Sequence, residues 1–103
     1  MVKIMIADDQ QLIRESLKII LDSDPNFEVV KVVSSGQEVL DTLETESIDI
    51  ILMDVRMPSM SGVECTRLVK KKYLNINVIL LTTFDDDLYI YDALKYGASG
   101  YLL

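Results

Sequence analysis

The sequence contains no histidine and only one cysteine, Cys65, among its 103 residues. The absence of histidine excludes His-ligated zinc sites, Ser-His-Asp triads and a phosphohistidine carrier role. A single cysteine cannot form an internal disulfide, which is typical of proteins from a reducing compartment. We therefore expect a cytoplasmic protein in which Cys65 has a structural role.

Positive charge and long apolar runs are also scarce. Lys and Arg number 10 against 17 for Asp and Glu, which gives a formal net charge of −7. A surface this acidic repels phosphate backbones and anionic lipids, so we expect no direct nucleic-acid binding and no membrane association. No apolar run approaches the roughly 20 residues of a membrane span, and the N-terminus does not resemble a signal peptide.

The residues that are present predict one α/β domain spanning 1–103. Half of them are hydrophobic, and the apolar positions alternate between a strand-like and a helix-like period. Strands are predicted over 2–7, 27–33, 49–54 and 76–81 and from 100 onward, with a helix between each pair. Strict alternation implies a parallel sheet with helices on both faces. Because only four helices connect the five strands, one face of the sheet should be less covered than the other.

Local signals place the helix boundaries. Ser35 and Ser61 each stand three residues before a glutamate, a pattern typical of a capping box. Gly97 is expected to end the fourth helix, and the lysines at 70–72 to form a solvated helix end. In the first helix, one face is predicted to carry Ile13, Leu17, Ile20 and Leu21.

Polar residues end three of the predicted strands: Asp8 and Asp9 the first, Asp54 the third, and Thr82 and Thr83 the fourth. Ligands of open α/β sheets bind at this carboxyl edge. Any one of these residues alone is more often a cap, a turn former or a strand former. Together, three carboxylates repel one another unless a cation lies between them, and hard oxygen ligands favour Mg²⁺ or Mn²⁺.

The turn after the first strand carries no glycine-rich loop, which argues against dinucleotide binding and against a P-loop. A carboxylate remains as the central candidate nucleophile. An aspartate beside Mg²⁺ can attack phosphorus and form an acyl phosphate.

These residues resemble the receiver domain of bacterial two-component response regulators, most closely the LuxR/NarL-type subfamily. The resemblance covers essentially the whole chain and implies a flavodoxin-like, doubly wound sheet of order 2-1-3-4-5. It is carried by five segments: Ile6-Ala7-Asp8-Asp9, Leu52-Met53-Asp54-Val55-Arg56-Met57-Pro58, Ser61-Gly62, Leu81-Thr82-Thr83-Phe84 and Gly97-Ala98-Ser99-Gly100-Tyr101-Leu102-Leu103.

The resemblance also implies the roles of single residues. Asp54 would be the phosphoacceptor, receiving its phosphoryl group from a sensor histidine kinase. Asp9, Asp54 and the backbone carbonyl of Arg56 would bind Mg²⁺ directly, and Asp8 would act through a water. Thr82 would hydrogen-bond a phosphoryl oxygen.

Further residues are expected to transmit or tune the signal. Tyr101 would be the aromatic that turns inward on activation. Arg56 and Thr83 lie where side chains could tune the phosphoryl lifetime. Tyr89 and Tyr96 are candidates for a partner surface, because the fourth helix is apolar on nearly every side.

The family places a lysine, a proline and a fifth helix directly after Leu103, and longer members add a helix-turn-helix DNA-binding domain. We therefore expect Mg²⁺ binding with poor phosphorylation or poor switching. We also expect apolar surface bared beside the first helix, and hence a homodimer, domain swapping or poor solubility.

We expect a signalling domain with at most slow self-catalysed phosphorylation and dephosphorylation. Two alternatives to this function stay open. One is a Mg²⁺-dependent phosphatase with an aspartate nucleophile. Arg56 speaks against it, because that class usually carries an acid/base carboxylate there. The other is a pseudo-receiver that serves only as a dimerisation module.

Overall fold

A computed structural model describes residues 1–82 and 87–102, with the backbone alone at 87–90. Strands and helices alternate strictly along the chain, as the two apolar periods predict. The elements are β1 (Val2–Ala7), α1 (Gln11–Asp22), β2 (Phe27–Val33), α2 (Gly36–Leu43), β3 (Ile50–Asp54), α3 (Gly62–Lys72), β4 (Asn77–Leu81), α4 (Asp87–Lys95) and β5 (Gly100–Leu102).

The five strands form one parallel sheet in the order β2-β1-β3-β4-β5. This confirms the predicted doubly wound, flavodoxin-like arrangement. The register places Ala7 opposite Met53, and Asp54 opposite Leu81. The carboxyl ends of β1, β3 and β4 therefore meet at one edge of the sheet.

The two faces of the sheet are unequally covered. Seventeen buried apolar residues form the larger cluster, to which α2, α3 and α4 all contribute. On the other face, Ile4, Ile6 and Leu52 are the buried residues, and Leu17 and Leu21 of α1 pack against them. Among the described elements, α1 is the helix that covers this second face, which fits the expected shortfall of one helix.

Helix α1 is loosely packed against its face of the sheet. It is described throughout and has no buried residue. Ile13, Leu17 and Leu21 are half-buried as predicted, but Ile20, predicted on the same face, is 63% exposed. At 100° per residue Ile20 falls at the edge of that face, and no described element covers the flank that it shares with Leu12 and Ile19.

The predicted caps are present. Ser35 Oγ accepts a hydrogen bond from the Glu38 amide at 3.2 Å, and Ser61 Oγ accepts one from the Glu64 amide at 3.1 Å. Gly97 follows α4 with φ +108°, a conformation that disfavours other residues. The prediction of a purely solvated lysine end is wrong for Lys70, which folds back onto the following turn. Its Nζ donates to two backbone carbonyls, those of residues 74 and 76, at 2.8 Å each.

Cys65 is buried on α3. Burial raises the pKa of its thiol to about 12, with a smaller contribution from the neighbouring Glu64 carboxylate. The thiol thus stays protonated and packs as a small apolar group, in agreement with the structural role predicted. None of the helices in the described part of the chain is long and apolar enough to cross a membrane.

Candidate functional site

Three carboxylates converge at the carboxyl edge of the sheet. Asp8 and Asp9 directly follow β1, and Asp54 is the last residue of β3. One oxygen from each lies within 4.8 Å of the others. The structure therefore brings together the three acidic residues that the sequence places at strand ends.

Asp8 is the most enclosed of the three carboxylates, with 4% of its surface exposed. Its Oδ1 accepts a hydrogen bond from the Gln10 amide at 2.8 Å. Burial raises the pKa of Asp8, and the charge of Asp9 adds to this. The Gln10 hydrogen bond and the Arg14 guanidinium act in the opposite direction.

Asp54 is half-buried at the end of the central strand. Burial, with smaller contributions from the neighbouring Asp8 and Asp9 carboxylates, raises its pKa to about 7. A hydrogen bond from the Arg56 amide to Asp54 Oδ1, at 3.2 Å, favours the ionised form but does not outweigh burial. Bringing the carboxylates together thus costs free energy at neutral pH unless positive charge joins them.

The donor set fits a hard divalent cation. Carboxylate oxygens at the ends of two adjacent strands, β1 and β3, can bind Mg²⁺. Because the site is partly exposed, the ion can also bind water and a phosphoryl oxygen. A cation at this position would offset the repulsion between the carboxylates, which adds to the effect of burial on the Asp54 pKa. The chemistry of the site therefore agrees with Mg²⁺ or Mn²⁺.

Gly62 holds the start of α3 against the backbone of the phosphoacceptor candidate. Its amide donates to the Val55 carbonyl at 2.7 Å. A Cβ at this position would lie 2.1 Å from the Asp54 carbonyl oxygen, far inside van der Waals contact. The sequence signals the Ser61 cap beside Gly62 but gives no sign of this steric requirement, which depends on tertiary approach.

Thr82 follows β4 and lies close to the acidic residues. Its amide donates to the Leu102 carbonyl at 3.0 Å, which ties the end of β4 to β5. Thr82, Asp8 and Asp54 share a cavity of about 250 Å³, whose apolar wall includes Ile13 and Leu102. The residue that was expected to contact a phosphoryl group therefore lines the same cavity as two of the carboxylates.

The remaining predicted residues lie around this cavity or beyond it. Arg56 is exposed, and its amide faces Asp54 as described above. Tyr101 on β5 and Tyr96 after α4 are 47% and 44% exposed. Thr83 lies outside the described residues, as does the side chain of Tyr89.

One contact to the acidic cluster comes from a residue that the sequence analysis missed. Arg14 on α1 donates from Nη1 to the Asp8 backbone carbonyl at 2.8 Å. The sequence gives no periodic or motif signal for this contact, because it joins a helix side chain to the main chain six residues earlier.

A larger cavity, of about 410 Å³, opens at the opposite, amino-terminal edge of the sheet. It lies between the segments that precede β3 and β4 and is lined by residues such as Ile48, Tyr73 and Leu74. None of the three clustered carboxylates borders it. Size alone therefore does not identify the functional site, whereas the convergence of charged groups does.

Comparison with known proteins identifies relatives over the whole chain. A family model described as the response regulator receiver domain matches residues 4–103. The transcriptional regulatory protein DegU of Brevibacillus brevis is 44% identical over 102 residues, which are 99% of this chain and 43% of that protein. The transcriptional regulatory protein LnrK of Bacillus subtilis is 43% identical over 103 residues, 100% of this chain and 47% of that protein. The chain thus spans about half the length of these curated relatives.

Solved structures agree with the sequence relatives. The signal receiver domain of NarL from Mycobacterium tuberculosis matches with a TM-score of 0.91 at 31% identity, covering 99% of this chain and 82% of that one. A LuxR-family DNA-binding response regulator from Staphylococcus aureus matches with a TM-score of 0.92 at 28% identity, covering 100% and 86% of the two chains.

Proposed function

The chain belongs to the response regulator receiver family, and from this premise we propose that it accepts a phosphoryl group on Asp54, with Mg²⁺ as cofactor. Receiver domains of this family are signalling domains rather than enzymes in the usual sense. The observation that carries the proposal is the convergence of Asp8, Asp9 and Asp54 within 4.8 Å.

The burial and contacts of each carboxylate determine how it would bind the cation. Asp9 is exposed and Asp54 is half-buried, so both can offer an oxygen directly to the cation, together with the backbone carbonyl of Arg56. Asp8 is already engaged by the Gln10 amide and would act through a water. When bound, Mg²⁺ would neutralise the carboxylates and the incoming phosphoryl oxygens.

Phosphorylation requires the ionised form of Asp54. An oxygen of its carboxylate would attack phosphorus in line with the phosphorus–nitrogen bond of a phosphohistidine. As the new oxygen–phosphorus bond forms, that phosphorus–nitrogen bond breaks, and its electron pair stays with the histidine, which takes up a proton. The donor would be a sensor histidine kinase, whose histidine supplies the residue type that this chain lacks.

Residues across the cavity would detect the new group. Thr82 lines the same cavity as Asp54, and its hydroxyl would donate to a phosphoryl oxygen. Tyr101 is 47% exposed, and we expect its ring to turn inward when Thr82 shifts. Two packings of one aromatic ring make a bistable element that phosphorylation can bias. Arg56 and Thr83 remain the residues proposed to tune the phosphoryl lifetime.

The output would be transcriptional control by a longer protein. DegU and LnrK are named as transcriptional regulatory proteins and are about twice the length of the matched segment. We place DNA binding in the additional part, because the chain described here carries a net charge of −7. We further propose that the protein forms a dimer and that a surface around Tyr89 and Tyr96 contacts a partner. Its location would be the cytoplasm, where the kinase can phosphorylate it.

Intact-mass spectrometry with acetyl phosphate and Mg²⁺ tests the phosphoacceptor directly. We expect one phosphoryl adduct on the wild-type chain and none on Asp54→Asn. A suitable control is Asp41→Asn, because Asp41 is an exposed carboxylate on α2 that accepts a hydrogen bond from Gln37 of the same helix. This variant should be phosphorylated like the wild type.

Three other outcomes would count against the proposal. An adduct that survives Asp54→Asn would place the phosphoryl group elsewhere. Release of phosphate from small substrates, with no adduct, would indicate a phosphatase. The absence of an adduct, both in this chain and in a longer form carrying the family lysine, would indicate a pseudo-receiver that acts through dimerisation.

A further inference from the structure

Helix α1 contacts the acidic cluster through one cationic side chain. Arg14 lies half-buried on α1, and its Nη1 donates to the backbone carbonyl of Asp8 at 2.8 Å. That carbonyl belongs to the peptide unit between Asp8 and Asp9. The guanidinium therefore holds the peptide that joins two of the three clustered carboxylates.

Two more hydrogen bonds connect Asp8 with the start of α1. The Gln10 amide donates to Asp8 Oδ1 at 2.8 Å, and the Arg14 amide donates to the Gln10 carbonyl at 3.1 Å. Asp8 is thus fixed through both its carboxylate and its carbonyl. Both contacts lead to the first turn of α1.

Other supports at this end of α1 are weak. Gln10, at the N-cap, makes no side-chain capping bond, and the first turn contains no acidic residue. No residue of α1, which is described along its full length, is buried. The Asp8 amide also donates to the Val33 carbonyl of β2 at 3.1 Å, so the Arg14–Asp8 contact is the side-chain link that orders this turn relative to α1.

We propose that Arg14 is a positioning residue for the cation site: it fixes the turn from which the Asp8 and Asp9 carboxylates face Asp54, and so raises the affinity for Mg²⁺. The inference rests on the proposed function, because it presumes that the three carboxylates bind a cation. Outer groups that orient metal-binding residues commonly affect metal affinity by about 10- to 100-fold.

Electrostatics alone predicts the opposite sign. Arg14 is a cation near a site for cations, so simple removal of its charge would tighten Mg²⁺ binding. Loss of positioning would weaken binding instead. The direction of the change therefore separates a positioning role from a long-range charge effect.

Isothermal titration of Mg²⁺ into the wild-type chain, Arg14→Met and Lys18→Met tests the inference. Methionine keeps much of the arginine side-chain volume without charge or donor. Lys18 lies on the same helix and carries the same charge, but pairs with Asp22, so Lys18→Met controls for charge removal. We expect Kd to rise about tenfold in Arg14→Met and to stay within about twofold in Lys18→Met.

A second readout separates positioning from simple helix stability. The Gln10 amide resonance reports on its hydrogen bond to Asp8, and it should shift in Arg14→Met before any Mg²⁺ is added. Arg14→Lys keeps the charge but loses the planar fork, so its Kd should rise less than that of Arg14→Met. If Arg14→Met does not fold, Arg14→Lys takes its place in the titration.

An unchanged or lower Kd in the folded Arg14 variant overturns the inference, even if its melting temperature falls. A wild-type chain that shows no Mg²⁺ binding would contradict the proposed cation site itself. A normal wild-type Kd with an unaffected Arg14 variant would contradict only the role of Arg14.

Discussion

The two faces of the sheet differ in how firmly they support the acidic cluster. Among the residues that the structure describes, the face covered by α2, α3 and α4 contains seventeen buried apolar residues, whereas the face covered by α1 contains three. Asp54 is supported from the crowded face, through Gly62 of α3. Asp8 is supported from the sparse face, through Arg14 of α1.

This difference shows how one site can combine a fixed nucleophile with an adjustable surrounding. The backbone of Asp54 is wedged against a helix that cannot move away without opening a dense core. The turn carrying Asp8 and Asp9 is held by a few hydrogen bonds: the Asp8 amide donates to Val33 of β2, and Gln10 and Arg14 at the start of α1 donate to Asp8. We therefore expect substitutions on the crowded face to act on stability, and those on the sparse face to act more on cation affinity.

Gly62→Ala should have the largest effect. The added Cβ would lie 2.1 Å from the Asp54 carbonyl oxygen, so the α3 start or the β3 end must shift. We expect a loss of about 3 kcal/mol or more in the free energy of unfolding, measured by urea denaturation. The matched control is Gly100→Ala, where a Cβ meets no atom within 4 Å. Equal losses of stability in the two variants would contradict a steric requirement for glycine at position 62.

Truncating one core residue on each face tests the comparison itself. Ile51 is fully buried in the larger cluster, and Ile51→Ala should cost about 3 kcal/mol in the free energy of unfolding. Leu17 is half-buried under α1, and Leu17→Ala should cost about 1 kcal/mol. Chemical denaturation of both variants measures the difference. Similar losses would show that α1 is packed as firmly as the opposite face.

Asp54→Asn should stabilise the chain, in a pH-dependent way. The pKa of Asp54 rises from 3.8 to about 7 on folding. Well below pH 3.8 the residue is protonated in both states and costs nothing. As the pH rises toward 7, the unfolded chain gains from ionisation while the native chain resists it, so stability is lost.

The stabilisation by Asp54→Asn should therefore grow from pH 4 to pH 7 and then level off. We expect about 1 kcal/mol at the plateau, since solvent screens a half-buried carboxylate. Thermal unfolding of wild type and variant across this range, without divalent cations, measures it. Mg²⁺ should stabilise the wild type, and the variant less. A difference between the two proteins that does not vary with pH would contradict the assignment.

Much of the architecture is readable from the sequence because local and tertiary signals agree. The capping serines, Ser35 and Ser61, mark two helix starts. The apolar strands predict the parallel sheet, and the acidic strand ends predict the cluster. These features depend on residue type and period, which a single sequence displays.

The remainder depends on approach between segments. Nothing in the local pattern indicates that Gly62 abuts the Asp54 carbonyl, that Arg14 reaches back to Asp8 or that Lys70 folds onto the next turn. The exposure of Ile20 is also a tertiary property, since it depends on what covers the flank of α1. Periodicity identifies the face of a helix but not the neighbour that buries it.

The position of the phosphoryl group in the sequence decides whether Asp54 is the phosphoacceptor. After reaction with acetyl phosphate and Mg²⁺, borohydride reduction converts an aspartyl phosphate into homoserine, which peptide mass spectrometry can place in the sequence. Our account predicts homoserine at position 54 and unaltered aspartates at positions 8 and 9. Homoserine at either of those positions, with none at 54, would contradict it.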